Sequence, residues 1–169
     1  MDFYTGKNFW KEGLEPVSED AIKKAEQELS VTLPKSYLDI LREHNGGNLE
    51  YPYFFIGDEK ERNAMYHIDG IAPEGFSILS SPSVIDKLGL PNKLILLEGD
   101  YHSWIALDYR DKDIPSVTYF YEDYSEEEIK WGSIEIAPSF DIFITKLFRG
   151  STLDPKKLKP SYGRSKPNM

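Results

Sequence analysis

The fifteen residues from Leu33 to Gly47 constrain this chain most, because they write both ends of a helix and the change of structure that follows. Pro34 suits the first helical position, where its missing N–H has no intrahelical partner and its fixed φ is already helical. Tyr37, Leu38, Leu41 and His44 recur at three- and four-residue spacing and lay one apolar stripe along one face. Asn45-Gly46-Gly47 supplies the stop, since Asn and Gly tolerate the left-handed backbone that closes a helix. The next stretch, Tyr51-Pro52-Tyr53-Phe54-Phe55-Ile56, is aromatic and β-prone. The chain therefore passes here from helix into sheet.

Upstream, Ser18 is a good N-cap, with Glu19 and Asp20 placed where carboxylates meet the positive helix end. Ile22, Ala25 and Leu29 then mark an amphipathic helix over Glu19 to Leu29. The short link through Val31-Thr32 predicts a helical hairpin. Met1 to Pro16 shows no clear period; Phe9 and Trp10 are expected to pack on the first helix or stay mobile.

Downstream, the pattern predicts strands at Tyr53–Ile56 and Met65–Asp69. A short helix runs through Val84, Ile85 and Leu88 and stops at Gly89. Lys93 to Glu98 is a continuous apolar run that fits a strand buried on both faces. Tyr101–Tyr109 and Val117–Tyr121 flank a hairpin-length loop, Arg110–Pro115, and read as an antiparallel meander. Ile129–Ile136 reads as one more extended piece, broken at Gly132. Ser139 caps a closing helix whose stripe is Phe140, Phe143, Ile144, Leu147 and Phe148, ended by Gly150. The fold class expected is α+β: two N-terminal helices, a curved, mainly antiparallel sheet of about five to six strands, and a C-terminal helix. Residues 1–149 form one domain on this reading, and 150–169 a basic, disordered tail.

Charge narrows the function. The net charge is −9, but the segment from Gly150 holds five basic residues against one acid. The remainder therefore carries 15 basic and 28 acidic residues, a net −13. Such a body repels phosphates and argues against nucleic-acid binding. It attracts a basic protein surface and speeds that encounter; ordinary solubility charge is the competing explanation. There is no cysteine, hence no disulfide or thiolate chemistry. No apolar N-terminal segment or membrane-length run is present, so a soluble, cytoplasmic protein is expected.

The sequence does not spell an enzyme. Of the three histidines, His44 falls on the apolar side of its helix near the C-terminus, and His67 and His102 fall on predicted strands. His102 and Ser103 are adjacent on a strand, so they point to opposite faces and cannot form a nucleophile–base pair. No zinc-binding His pair, nucleophile elbow, P-loop or dinucleotide fingerprint occurs. A carboxylate-only metal site through Asp69, Asp100 or Asp108 is conceivable, but no metal or cofactor is expected.

Glu26, Leu29, Val31, Leu33-Pro34, Tyr37, Leu41 and Asn45-Gly46-Gly47 resemble the N-terminal signature of the SUKH superfamily, in particular its Smi/Knr-like branch. Gly99-Asp100 followed by Trp104-Ile105-Ala106-Leu107-Asp108 is similar to the strand block that family carries after a Gly-Asp turn. The Phe140, Phe143, Leu147 helix sits where its last helix does. The resemblance implies the α+β architecture above. It also implies an immunity protein that binds a cognate bacterial toxin, often a nuclease, and occludes its active site. The alternative is a regulatory ligand- or partner-binding domain without a toxin partner, using a pocket near Trp104 and Tyr66.

For a basic nuclease partner, the candidate contacts are Asp108, Asp111 and Asp113 around one hairpin, and Glu122, Asp123, Glu126, Glu127 and Glu128 leaving the paired strand. Pairing through the Arg110–Pro115 loop puts these two groups at opposite ends of the ribbon. Tyr124 and Trp131, with Tyr119 and Tyr121, add aromatic anchors of the type that dominates binding hot spots. The competing reading makes the strand aromatics core and the acids solvated face.

Overall fold

The structure, a computed structural model, describes residues 1–73 and 75–150. In chain order, its strands and helices begin with β1 (Asp2–Phe3), β2 (Trp10–Gly13), α1 (Glu19–Leu29), α2 (Lys35–Leu41) and β3 (Gly47–Leu49). Three short strands follow, β4 (Tyr53–Phe54), β5 (Asn63–Ala64) and β6 (His67–Ile68), and then, after a 3₁₀ turn at Ile78–Ser80, α3 (Ser81–Leu88). The second half is β7 (Leu94–Gly99), β8 (Ser103–Asp108), β9 (Ser116–Asp123), β10 (Lys130–Ala137), α4 (Phe140–Thr145) and β11 (Phe148–Arg149).

The class is α+β, but the sheet is divided. One antiparallel meander, in the order β10-β9-β8-β7, takes the long strands. Two small sheets, β1-β11-β4-β5 and β2-β3-β6, take the short ones. The N-terminal residues without clear period thus join sheets as β1 and β2.

The first helix begins as its sequence requires: the Ser18 hydroxyl accepts the Ala21 N–H at 3.1 Å. Ser30 closes it in the left-handed conformation. The Glu26 carboxylate then accepts the Leu33 N–H at 2.7 Å and fixes the link into α2. Val17 donates to the Leu41 carbonyl, and Arg42 after α2 ion-pairs with Glu19 at the start of α1, so the two helices run antiparallel.

The second helix departs from expectation at both ends. Pro34 is its N-cap, and it stops at Leu41, so His44 and Asn45-Gly46-Gly47 lie beyond it. Asn45 instead reaches 26 residues along the chain. Its side-chain amide donates to the Ile71 carbonyl at 2.6 Å, and its Oδ1 accepts the Ile71 N–H at 2.7 Å. A Cβ on Gly46 would run into the Gly70 backbone, and one on Gly47 into the Glu12 carbonyl. The two glycines are there because three segments of backbone meet without room for side chains.

The closing helix is likewise shorter than its apolar stripe. It starts at the Ser139 cap, whose hydroxyl accepts from Ile142, and ends after Thr145. Phe148 leaves it to pair with Phe3 and Tyr53 in β11. The strand β10 is unbroken at Gly132, which faces Tyr121 across the ladder. The Tyr121 ring lies where a Cβ on Gly132 would be, so the glycine makes room for the aromatic rather than ending the strand.

The strand β7 is buried on both faces, as its apolar run predicts. Ile95 and Leu97 face the main core with Tyr37, Leu41, Phe140 and Phe143. Leu94 and Leu96 face a second cluster with Ile85, Leu90, Ala106 and Phe120. Of the expected basic tail, residues 150–169, all but Gly150 lies outside the described residues.

Candidate partner-binding face

Two turns meet at one end of the meander. The first joins β7 to β8, where the Asp100 carboxylate accepts the His102 and Ser103 N–H groups at 2.7 and 3.0 Å. The second joins β9 to β10 and carries Tyr124 to Ile129. Register places them side by side: Ser103 opposes Tyr121, and Glu122 donates its N–H to the His102 carbonyl. The structure therefore brings Glu122, Asp123, Tyr124, Glu126, Glu127 and Glu128 together and adds Asp100.

Against these carboxylates stand few cations. Lys130 pairs with Glu126 at 2.8 Å, an exposed i,i+4 pair worth little in stability. His102 Nδ1 pairs with Glu122, which also accepts the Tyr124 hydroxyl at 2.7 Å. These contacts hold Glu122 below its ordinary range, the Tyr124 hydroxyl first and His102 second. The Glu122 hydrogen bond raises His102 in turn. Tyr101, Tyr124 and Ile129 stand out from the same end, each more than half exposed. The arrangement is an acidic rim with apolar and aromatic projections.

The hairpin acids lie at the other end, separated by the length of β9, about 25 Å at a strand's rise per residue. Asp108, one of the candidate contacts, is only 4% accessible. Burial works to raise its carboxyl, but Arg110 outweighs this and holds it low by donating from Nε and Nη2 at 3.0 and 2.9 Å. Arg110 also lies over the Phe120 ring. Asp108 thus anchors the hairpin. Asp111 and Asp113 are exposed on that hairpin. Trp131 is half-buried and spends its indole N–H on the Leu88 carbonyl at 3.0 Å, tying β10 to α3.

The histidines are occupied structurally. His44 Nδ1 meets the Leu14 carbonyl at 2.8 Å, and His67 pairs with Asp69 at 3.0 Å. The carboxylates considered for a metal do not converge: Asp108 is at the far end from Asp100. Among the described residues no group of three metal-type ligands is arranged to hold an ion. No helix among them is long and apolar enough to cross a membrane.

Glu98 is the residue that sequence reasoning missed. It follows the apolar run of β7 past a bulge and sits opposite Ile105. Burial, then Asp69 and then Asp100, push its carboxyl up to about 8, although a hydrogen bond from the His67 backbone opposes them. Its only sequence signal is a carboxylate ending a run that should be buried. Because the folded-state value lies above the ordinary 4.5, this group's stability contribution is fully present below 4.5 and is lost as pH rises towards 8. Glu98→Gln is therefore expected to melt above the parent at pH 8 and level with it at pH 4. Allowing for the partial exposure, a difference of about 2 kcal/mol, or roughly 4–8 °C at pH 8, is expected by calorimetry.

The fold is that of a small α+β domain. The chain belongs to the SMI1/KNR4 family (SUKH-1), whose profile it matches over residues 16–146. The match runs from the approach to α1 through the end of α4 and leaves β1, β2 and β11 outside it. Comparison with curated proteins gave no match.

Proposed function

We propose that this protein is an immunity protein of the cytoplasm, which binds a cognate bacterial toxin and covers its active site without catalysing any reaction. The observation that carries this reading is the gathering of Asp100, Glu122, Asp123 and Glu126 to Glu128 at one end of the meander, beside exposed Tyr101, Tyr124 and Ile129. A toxin that cleaves nucleic acid grips phosphates with a basic cleft. An acidic, aromatic-studded surface competes for that cleft by charge and shape. Family membership supports the reading, and the net charge of −9 agrees with it.

Asp111 and Asp113 are too far from this face to share one compact contact and are assigned a secondary, steering role. A regulatory domain that binds a small molecule near Trp104 is the second reading. The cavity there is about 220 Å³, below the roughly 300–1,000 Å³ of most ligand sites, which favours a protein partner instead.

The test uses the purified chain and the toxic polypeptide encoded by its neighbouring reading frame. A one-to-one complex is expected, with an association rate that falls about tenfold or more from low to physiological salt. Absence of a complex, or a rate indifferent to salt, contradicts the reading.

A further inference from the structure

The meander has two edges, and they are finished differently. At one edge, β7 spends outward groups inside the protein: the Leu96 N–H donates to the Ser81 hydroxyl at 2.9 Å, and the Leu97 carbonyl accepts the Asp69 N–H at 2.8 Å. At the other edge, β10 pairs with β9 and with no other strand among the described residues. Its far end is closed, because the Lys146 ammonium donates to the Ile136 carbonyl at 2.9 Å. From Lys130 to Glu135, no backbone group bonds outside the β9 ladder among the described residues. Alternate N–H and C=O groups of such a strand point away from the sheet and form a template for one more strand.

Native sheets blunt an open edge with proline, a bulge, a charge or a short strand. β10 runs for eight residues, holds no proline, and is bulged only past Glu135. Its one lysine, Lys130, stands at the first position and is paired with Glu126. The two faces beside the edge differ in chemistry. Gly132 opposes Tyr121 and Ile134 opposes Tyr119, so one face carries the exposed Ile134 and two stacked tyrosine rings 5.9 Å apart. The Tyr121 ring lies where a Cβ on Gly132 would be, and therefore over the edge strand itself. An apolar side chain laid opposite Gly132 would meet that ring. The other face carries Trp131, Ser133 and Glu135, with Glu122 opposite Trp131. The strand also leaves directly from the Glu126, Glu127 and Glu128 turn, so acids outnumber bases along it.

We propose that the partner protein adds an extended strand to the Lys130–Glu135 edge of β10, a strand that alternates basic with apolar residues. The proposal rests on the partner-binding reading above and says how the partner is held. Backbone bonds to β10 supply the affinity of such an addition, and the alternating side chains supply its specificity. The basic residues fall on the face of Glu122 and Glu135, and the apolar ones on the face of Gly132 and Ile134. A second copy of this chain fits poorly, because it carries the same net charge of −9 and brings like charge to like.

The intact chain, labelled with ¹⁵N, is titrated with acetyl-Lys-Val-Arg-Val-Lys-Val-Arg-amide. Its controls are the same peptide with glutamate at each basic position, and two versions N-methylated either on the valines or on the basic residues. N-methylation strips the ladder donors from one side of the peptide and keeps every side chain. Backbone signals from Lys130 to Glu135 are expected to move saturably, at a dissociation constant of about 1–10 mM. Alternate amides in that stretch should exchange their hydrogens about tenfold more slowly at saturation. The glutamate peptide, and at least one N-methylated version, should bind about tenfold or more weakly. The proposal is overturned by signals that do not move, by movement confined to the Glu126–Glu128 turn, or by N-methylated peptides that both bind as well as the parent. Slow exchange along this edge in the free chain also overturns it: concentration-dependent slowing means that a second copy fills the edge, and concentration-independent slowing that the chain itself does. If the edge takes no strand while the acidic loop is still needed for toxin binding, the immunity reading stands. If the peptide pairs but no toxin complex ever forms, the strand addition stands and that reading falls.

Discussion

Tyr37→Ala is expected to cost about 3–5 kcal/mol, the range for deleting a fully buried aromatic side chain. Tyr37 is inaccessible to solvent, its ring meets Phe140 of α4 edge-on at 5.5 Å, and its hydroxyl donates to the Asp69 carbonyl at 2.6 Å. One side chain thus joins the second helix, the closing helix and the segment leading from β6. Domains of this size hold only about 5–15 kcal/mol in total, so the variant should be largely unfolded near body temperature. Tyr37→Phe keeps the ring and removes only the hydroxyl. It should cost about 1–2 kcal/mol and lower the melting temperature by roughly 2–8 °C. Urea denaturation of the two variants separates packing from hydrogen bond. Equal losses would mean that the hydroxyl carries the whole contribution.

The second large effect belongs to the acidic loop. Changing Glu126, Glu127 and Glu128 together to lysine replaces three negative charges with three positive ones on a fully exposed turn. Among the described residues Glu126 has only its solvent-screened pair with Lys130 to lose, so stability should stay within about 0.5 kcal/mol of the parent. Association with a basic toxin should slow by about 10- to 1,000-fold at low salt, and the difference should shrink as salt is added. Reversing Asp111 and Asp113 at the far end should slow it far less. If both reversals act equally, the contact is spread over the whole molecule and the acidic end has no special place.

What the sequence revealed divides along the range of the interactions involved. The caps at Ser18 and Ser139 were legible because each side chain bonds three residues ahead. The two-faced burial of β7 was legible because an unbroken apolar run allows little else. Asn45-Gly46-Gly47 was read as a helix stop because its local chemistry permits one. Its actual work, bridging Ile71 and letting backbones approach, depends on a partner 26 residues away. Gly132 misled for the same reason, since the Tyr121 ring that fills its place comes from the neighbouring strand. The closing stripe overran α4 because Phe148 is as apolar as its helical neighbours, yet it is drawn into pairing with β1 and β4.

The candidate face followed this rule too. The separation of the two acid groups came from strand pairing alone. The burial of Asp108 did not, because it depends on how Arg110 folds back over Phe120. Trp131, read as an anchor for a partner, also ties β10 to α3, through a carbonyl 43 residues away. Glu98 went unnoticed because its value comes first from burial and then from Asp69 and Asp100 closing around it in space.

The account requires that the molecule protect by sitting on another macromolecule with its negative end. The direct measurement is growth of cells expressing the proposed cognate toxin, sought in the neighbouring reading frame, with this chain supplied in parent form or with the Glu126, Glu127 and Glu128 reversal. Full growth with the parent and arrest with the folded reversal variant is the predicted result. Arrest in both cultures, or equal growth in both, would contradict it.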